Sequence, residues 1–162
     1  MATQLSEEGE VAVVGSPGLE VHYRECWPAL VRLGRLLTGS QALGEEVAQE
    51  AYIGLLGAKR PVDNPSAYLR RSVVNRCVNA GRRARQEQRY LARQREAAVE
   101  PPELDEMWDR LRRLPTKQRA VLVLRYYEDL SEREIATVMG CKPGTVKSLS
   151  SRALEQLRKD LS

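Results

Sequence analysis

Apolar residues recur every three or four positions along most of the chain, and this spacing restricts the possible folds more than any other feature. The first clear segment carries Tyr23, Trp27, Leu30, Leu33 and Leu37. Because an α-helix has 3.6 residues per turn, such residues share one helix face. The Asn-Gly and Asp-Gly pairs that mark tight hairpins are absent. With 5 % aromatic residues and no Phe, the cores must rest on Leu, Val and Ala. The sequence therefore predicts an all-α protein.

Proline and glycine positions divide the chain into two groups of helices. The first group is predicted to hold three helices, at about residues 19–38, at 42–58, and from Pro65 to beyond Arg95. Pro101-Pro102 then interrupts the helical pattern. We therefore predict a flexible linker at residues 97–103, between one domain at 19–96 and another at 104–162. Residues 1–18 mix Glu, Gly, Ser and Pro and are predicted to form a disordered tail.

The second group of helices contains a helix-turn-helix pattern. After helices at about residues 104–114 and 116–127, Ser131 and Glu134 have the spacing of a capping box. The helix that they open ends at Gly140, and Pro143 begins the last one. Two helices joined through a glycine-containing turn are the arrangement that lays a recognition helix in a DNA groove.

Positive charge is concentrated in the middle of the chain. The net charge is +4, yet residues 61–100 alone contribute +5, from nine Arg against four acidic residues. On the third predicted helix the apolar stripe consists of Leu69, Val73, Cys77, Ala80 and Ala84. The opposite face carries no acid and consists of Arg71, Asn75, Asn79, Arg82 and Gln86. Since Arg binds phosphates and guanine edges and Asn pairs with base edges, we predict a nucleic-acid-binding face; a merely solvated face is the alternative.

The second predicted helix is acidic on one side. Glu45, Glu46, Gln49 and Glu50 lie there, and Ile53 falls among them. Acidic residues on a surface helix are most often simply solvated. An acidic face that contains an apolar residue can also bind a basic partner protein. The residues alone leave both interpretations open.

The chain lacks the residue patterns of an enzyme or a metal centre. It has one histidine, and Cys26, Cys77 and Cys141 are far apart, so no usual zinc spacing is present. We expect no catalytic residue, no metal and no cofactor, and three reduced thiols in a cytoplasmic protein. No stretch is long and apolar enough for a membrane span, and the N-terminus does not resemble a signal peptide, so we expect no membrane insertion.

Three segments carry a resemblance to a known family. Residues 114–148 closely resemble region 4 of the extracytoplasmic-function sigma factors, which form group 4 of the sigma-70 family. Within that group the resemblance is to the sigma-E-like subfamily. Residues 45–52 resemble region 2.2, and residues 64–75 resemble regions 2.3 and 2.4. The resemblance covers about residues 20–160, with the motifs in the family's order. It implies a three-helix region 2 domain and a helix-turn-helix region 4 domain in a protein that starts transcription.

The resemblance also implies a role for individual positions. The β′ clamp of core RNA polymerase would contact Glu45, Glu46, Gln49, Glu50 and Ile53. The −10 element, including a flipped base, would contact Arg60, Asn64, Arg71, Asn75, Asn79 and Arg82. The −35 element would contact Lys142, Thr145, Lys147, Ser148 and Arg152. The β flap and an anti-sigma factor are the other partners that the family implies.

One pair of residues departs from the family's pattern. Family members commonly have Arg-Leu where this chain has Leu149-Ser150. A helical wheel places Leu149 with Thr145 and Ser148 on the expected DNA face and Ser150 on the core face. Because of this departure, a sigma-like decoy that no longer starts transcription is one alternative interpretation of the chain. A free-standing helix-turn-helix regulator is the other alternative.

Overall fold

The structure is a computed structural model that describes residues 17–91 and 105–161, and these form seven α-helices and no strand. Their bounds are α1 Pro17–Thr38, α2 Gln41–Leu56, α3 Pro65–Leu91, α4 Asp105–Arg113, α5 Thr116–Tyr126, α6 Glu132–Met139 and α7 Pro143–Asp160. The predicted all-α fold is confirmed. The predicted linker and residues 1–16 of the predicted tail lie outside the described residues, whereas residues 17 and 18, also assigned to the tail, are helical. No helix in the described ranges has the length and apolar character needed to cross a membrane.

Helices α1, α2 and α3, which we call the N-terminal half, surround one apolar core. Leu33, Leu37, Leu69 and Val73 are fully buried in it. Helices α1 and α2 approach until their backbones touch, because each has a glycine at the crossing. A Cβ added at Gly44 would lie 2.8 Å from the backbone of α1, closer than such atoms normally approach.

Helices α4 to α7, which we call the C-terminal half, are built around α5. All residues from 119 to 124 of α5 are buried. The predicted capping box opens α6: the Ser131 amide donates to Glu134 Oε2 at 2.7 Å, and the Glu134 amide donates to Ser131 Oγ at 3.2 Å. These bonds with Ser131 lower the pKa of the Glu134 carboxyl. Gly140 ends α6 in the left-handed conformation with φ of 63°, which turns the chain into α7.

The two halves pack against each other. Helix α3 contacts α5 and α6, and α1 contacts α5. The buried apolar residues of both halves form one cluster. Two positions differ from the predicted helix stripes: the apolar spacing predicts that Ala80 and Tyr23 face the core, and both are exposed. Ala80 lies near the end of the stretch of α3 that packs against other helices, and Tyr23 lies in the outer part of α1.

We expect Gly44→Ala to lower the free energy of unfolding by about 1–3 kcal/mol, because the methyl group forces α1 and α2 apart. Urea unfolding of the full chain measures this change. Gly144→Ala in α7 is the matched control, since a Cβ there meets nothing within 4 Å. Equal stabilities of the two variants would contradict backbone contact between α1 and α2.

Candidate polymerase and DNA interfaces

The acidic side of α2 is a solvent-facing surface. Glu45, Glu46, Gln49 and Ile53 are exposed, and Ile53 retains 61 % of its accessible area. The apolar side of the same helix (Val47, Ala48, Ala51 and Leu55) is buried against the core. The structure therefore presents an apolar side chain within an acidic patch, away from the packing face.

Glu50 differs from the other acidic residues of α2. It is half-buried, and its Oε2 lies 2.7 Å from Arg76 Nη1 of α3. The ion pair ties α2 to α3. Glu50 thus has a structural partner within the chain, whereas Glu46 has no salt bridge among the described residues.

The segment between α2 and α3 carries two of the predicted DNA-binding residues. Arg60 and Asn64 are both exposed there. The Asn64 side-chain Oδ1 accepts a hydrogen bond from the Ala67 amide at 3.0 Å, which caps the start of α3. The side-chain carbonyl oxygen of Asn64 is therefore already occupied by this cap, which fixes the direction in which α3 leaves the segment.

Helix α3 separates its faces as predicted over its first four turns. Leu69, Val73 and Cys77 are buried, while Arg71 and Asn79 are exposed and Asn75 is half-buried. Arg71 has no carboxylate within ion-pair distance among the residues that the structure describes. Arg82 belongs to the described helix, but its side chain lies outside the described residues.

Helix α7 and its N-cap residue Lys142 carry the five predicted −35 residues on their surface. Lys142, Thr145, Lys147, Ser148 and Arg152 are all exposed, and Val146, Ser150 and Ala153 form the buried face. The polar residues start at the N-terminal end of the helix, where free amide groups and the helix dipole favour an anion such as phosphate. The Ser148 hydroxyl donates to the Gly144 carbonyl at 3.1 Å, which leaves its oxygen able to accept.

Leu149 does not lie where the helical wheel placed it. It is half-buried and packs against the core rather than standing on the DNA face. A helical wheel does not take the neighbouring helices into account. In the fold these helices cover more of the surface of α7 than a single regular stripe of residues. Ser150 is 3 % exposed, on the core side as predicted. Both unusual residues of this helix therefore face inward at least in part.

The predicted site residues do not include the polar contacts between the two halves. Arg119 of α5 is 8 % exposed and donates to the Leu37 carbonyl of α1 at 2.7 Å. Arg70 of α3 pairs with Glu128, which follows α5, at 3.0 Å. One sign was available in the sequence: Arg119 lies one turn before Leu122 and Val123, on an apolar face where a charge needs internal partners.

Comparisons with known proteins match both halves. Residues 22–87 match the family described as Sigma-70 region 2, and residues 104–157 match Sigma-70, region 4. The RNA polymerase sigma-E factor of Streptomyces avermitilis is 32 % identical over 153 residues, which cover 88 % of this chain and 84 % of the relative. That of Streptomyces coelicolor is 30 % identical over 150 residues, which cover 88 % and 85 %.

A solved structure shares the fold. The sigma factor RpoE from Bartonella quintana, solved in complex with the anti-sigma factor NepR, superposes with a TM-score of 0.72 at 23 % identity. The match covers 89 % of this chain and 96 % of that one.

Replacing Leu149 by Arg should lower the free energy of unfolding by about 1–2 kcal/mol, because part of the leucine's apolar contact is lost while the arginine stem retains some. Thermal unfolding of the full chain tests this. Leu154→Arg on the same helix is the control, because Leu154 is exposed. If the Leu149 variant is as stable as the Leu154 variant, Leu149 is a surface residue and does not pack against the core.

Two sigma-70 regions in order, together with curated relatives of 30–32 % identity that are covered over most of their length, establish the family. The chain belongs to the extracytoplasmic-function sigma factors of the sigma-70 family.

Proposed function

We propose that this sigma factor binds core RNA polymerase, directs it to promoters by reading −35 and −10 DNA, and traps the melted strand. One observation carries the proposal: most of the described residues assigned to the three contacts are exposed, namely Glu45, Glu46 and Ile53 on α2, Arg71 and Asn79 on α3, and Lys142, Lys147 and Arg152 in the C-terminal half. We propose that it does so as a non-enzymatic, cytoplasmic factor, with region 2 at residues 19–96 and region 4 at 104–162.

The polymerase contact is assigned to α2. Glu45 and Glu46 supply negative charge, and the exposed Ile53 supplies an apolar anchor beside them. Charge sets the orientation and the association rate of such a contact, while the buried apolar side chain contributes affinity. Because Glu50 is bonded to Arg76, it stabilises the position of α2 against α3 and contributes less to the affinity for the partner than Glu45 and Glu46 do. The β′ clamp is the proposed partner here, and the β flap is the proposed partner of region 4.

The −10 contact is assigned to α3 and the segment before it. Arg71 and Asn79 are exposed, and Arg71 has no ion pair within the described part of the chain, which suits a phosphate backbone and base edges. Arg60 and Asn64 border the preceding segment, which is proposed to hold an extruded base of the melted strand. Arg82, whose side chain lies outside the described residues, stays a proposed contact on the basis of the sequence pattern.

The −35 contact is assigned to α7, with Lys142, Lys147 and Arg152 as its cations. Because Leu149 and Ser150 pack inward, their departure from the family's pattern leaves these surface residues in place. This favours an active factor over a decoy. An anti-sigma factor is a further proposed partner, since the solved fold relative was obtained with one.

Glu46→Lys should weaken binding to core polymerase at least about tenfold, because it sets like charges against each other at the contact. Fluorescence anisotropy of the labelled sigma factor with purified core measures the affinity. Glu25→Lys makes the same charge change at an exposed residue of α1 that belongs to none of the proposed contacts, and it should leave the affinity nearly unchanged. If both variants bind as wild type does, the acidic face of α2 is not the interface.

Arg71→Ala should reduce the salt dependence of promoter binding by the holoenzyme by about one unit of slope, because one phosphate contact is lost. The measurement is affinity for promoter DNA over a range of salt concentrations. Arg24→Ala is the control, since Arg24 is exposed on α1 and pairs with Glu20. Equal slopes for wild type and the Arg71 variant would show that Arg71 faces solvent in the complex.

A further inference from the structure

A cluster of three reactive side chains, Cys26, His22 and Ser66, lies where α1 meets the start of α3. The Cys26 Sγ is 3.7 Å from His22 Nε2 and 3.9 Å from Ser66 Oγ. The same His22 nitrogen is 2.9 Å from the Ser66 hydroxyl. Cys26 follows His22 by one turn of α1, and Ser66 belongs to the first turn of α3. A thiol, an imidazole nitrogen and a hydroxyl therefore contact one another, and none of the three is assigned to the polymerase or to DNA.

The imidazole of His22 is placed to take the proton of the Cys26 thiol. Its second nitrogen, Nδ1, is buried and has no hydrogen-bond partner within the described part of the chain. Since the partner of one ring nitrogen normally fixes which nitrogen carries the proton, Nε2 is free to present its lone pair to the thiol. The negative charge left on sulfur would lie beside the first turn of α3, where the helix dipole favours an anion. A neighbouring histidine and a helix N-terminus are the surroundings that make a cysteine nucleophilic.

A small solute can reach this thiol. Cys26 is partly exposed, and it borders a cavity of about 130 Å³ whose walls include Leu30, Ser66 and Arg70. Such a volume holds several molecules of the size of water, so hydrogen peroxide fits against the sulfur. Cys77 has the opposite surroundings: it is 2 % exposed, and burial raises the pKa of its thiol to about 12.

Tyr52 of α2 supplies a hydrogen-bond donor beside the cluster. The side chain is 5 % exposed, and its ring centre lies 4.8 Å from that of Tyr23 and 6.0 Å from that of Trp27, which flank Cys26 along α1. The Tyr52 hydroxyl is buried and has no partner among the described residues. Burial raises its pKa to about 12, and Cys26 and Tyr23 add to the rise, so the hydroxyl keeps its proton. A buried donor without a partner costs free energy, and an oxygen atom bound to Cys26 could accept its hydrogen bond.

We propose that Cys26 is an oxidation site for hydrogen peroxide and small organic hydroperoxides, with His22 as the proton acceptor and Tyr52 as the donor to the oxygen that sulfur gains. His22 Nε2 takes the thiol proton, and the thiolate attacks the terminal oxygen of the hydroperoxide. A sulfur–oxygen bond forms as the oxygen–oxygen bond breaks; sulfur loses two electrons and the peroxide gains them. The leaving oxygen takes the proton from His22 and departs as water or an alcohol, which leaves a sulfenic acid on Cys26.

The product places a new polar group at the contact between α1 and α3. Ser66 lies two residues after Asn64, whose side chain caps α3. Its hydroxyl would then be shared between His22 and the sulfenic oxygen. Oxidation therefore acts at the start of the helix to which the −10 contact is assigned, whereas the reaction itself needs neither polymerase nor DNA. The proposal can thus be tested apart from the proposed function.

Cys141 is the reference thiol within the same chain. It is partly exposed as Cys26 is, while the chain's one histidine lies beside Cys26. The full chain is treated with hydrogen peroxide in the presence of dimedone, which traps sulfenic acids, and each cysteine is followed by mass spectrometry. Cys26 should form sulfenic acid at least about tenfold faster than Cys141, because thiolate character governs the rate. Cys77 should stay unmodified.

Three variants separate the roles of the neighbours. His22→Gln still reaches Ser66 by a hydrogen bond but cannot take the thiol proton, so Cys26 should slow to about the rate of Cys141. Ser66→Ala keeps the histidine beside the thiol and should retain fast oxidation. Tyr52→Phe removes only the hydroxyl; it should leave the first oxidation nearly unchanged and let more of the product go on to sulfinic acid when no trap is present. Unmodified Cys77 and an unchanged circular dichroism spectrum show in each case that the fold is intact.

Two results would overturn the oxidation site. One is a wild-type Cys26 that is oxidised no faster than Cys141. The other is a folded His22→Gln variant in which Cys26 still reacts at the wild-type rate. If Tyr52→Phe forms no more sulfinic acid than wild type, the part assigned to the Tyr52 hydroxyl is wrong.

Discussion

A buried cation needs partners, and Arg119 finds them at the ends of two helices. Its guanidinium donates hydrogen bonds to carbonyl oxygens at the end of α4 and at the end of α1. Because an unpaired charge inside a protein is costly, these bonds fix where α4 and α5 lie and where they meet the N-terminal half. The position of Trp108, the burial of Cys77 and the approach of Glu128 to Arg70 are consistent with that one placement.

The three candidate interfaces are built in the same way from one face of a helix. In α2, α3 and α7 a regular apolar stripe is used for packing, and the opposite side carries the groups proposed to bind partners. Packing therefore orients each interface without using its residues. The exception is Glu50, which belongs to the acidic face by sequence but is bonded to Arg76 of the neighbouring helix.

The sequence was enough to predict the helices, the capping box of α6 and most positions on the faces of α2, α3 and α7. These features are local: 3.6-residue spacing, Ser131 with Glu134, and Gly140 need no distant partner. The position of Leu149, the ion pair of Glu50 with Arg76 and the contact of the two halves through Arg119 became visible only in the folded chain. Those depend on residues far apart in sequence, since Arg119 and Leu37 are 82 positions apart. A periodic pattern shows that a helix has a buried face, but not which helix covers it.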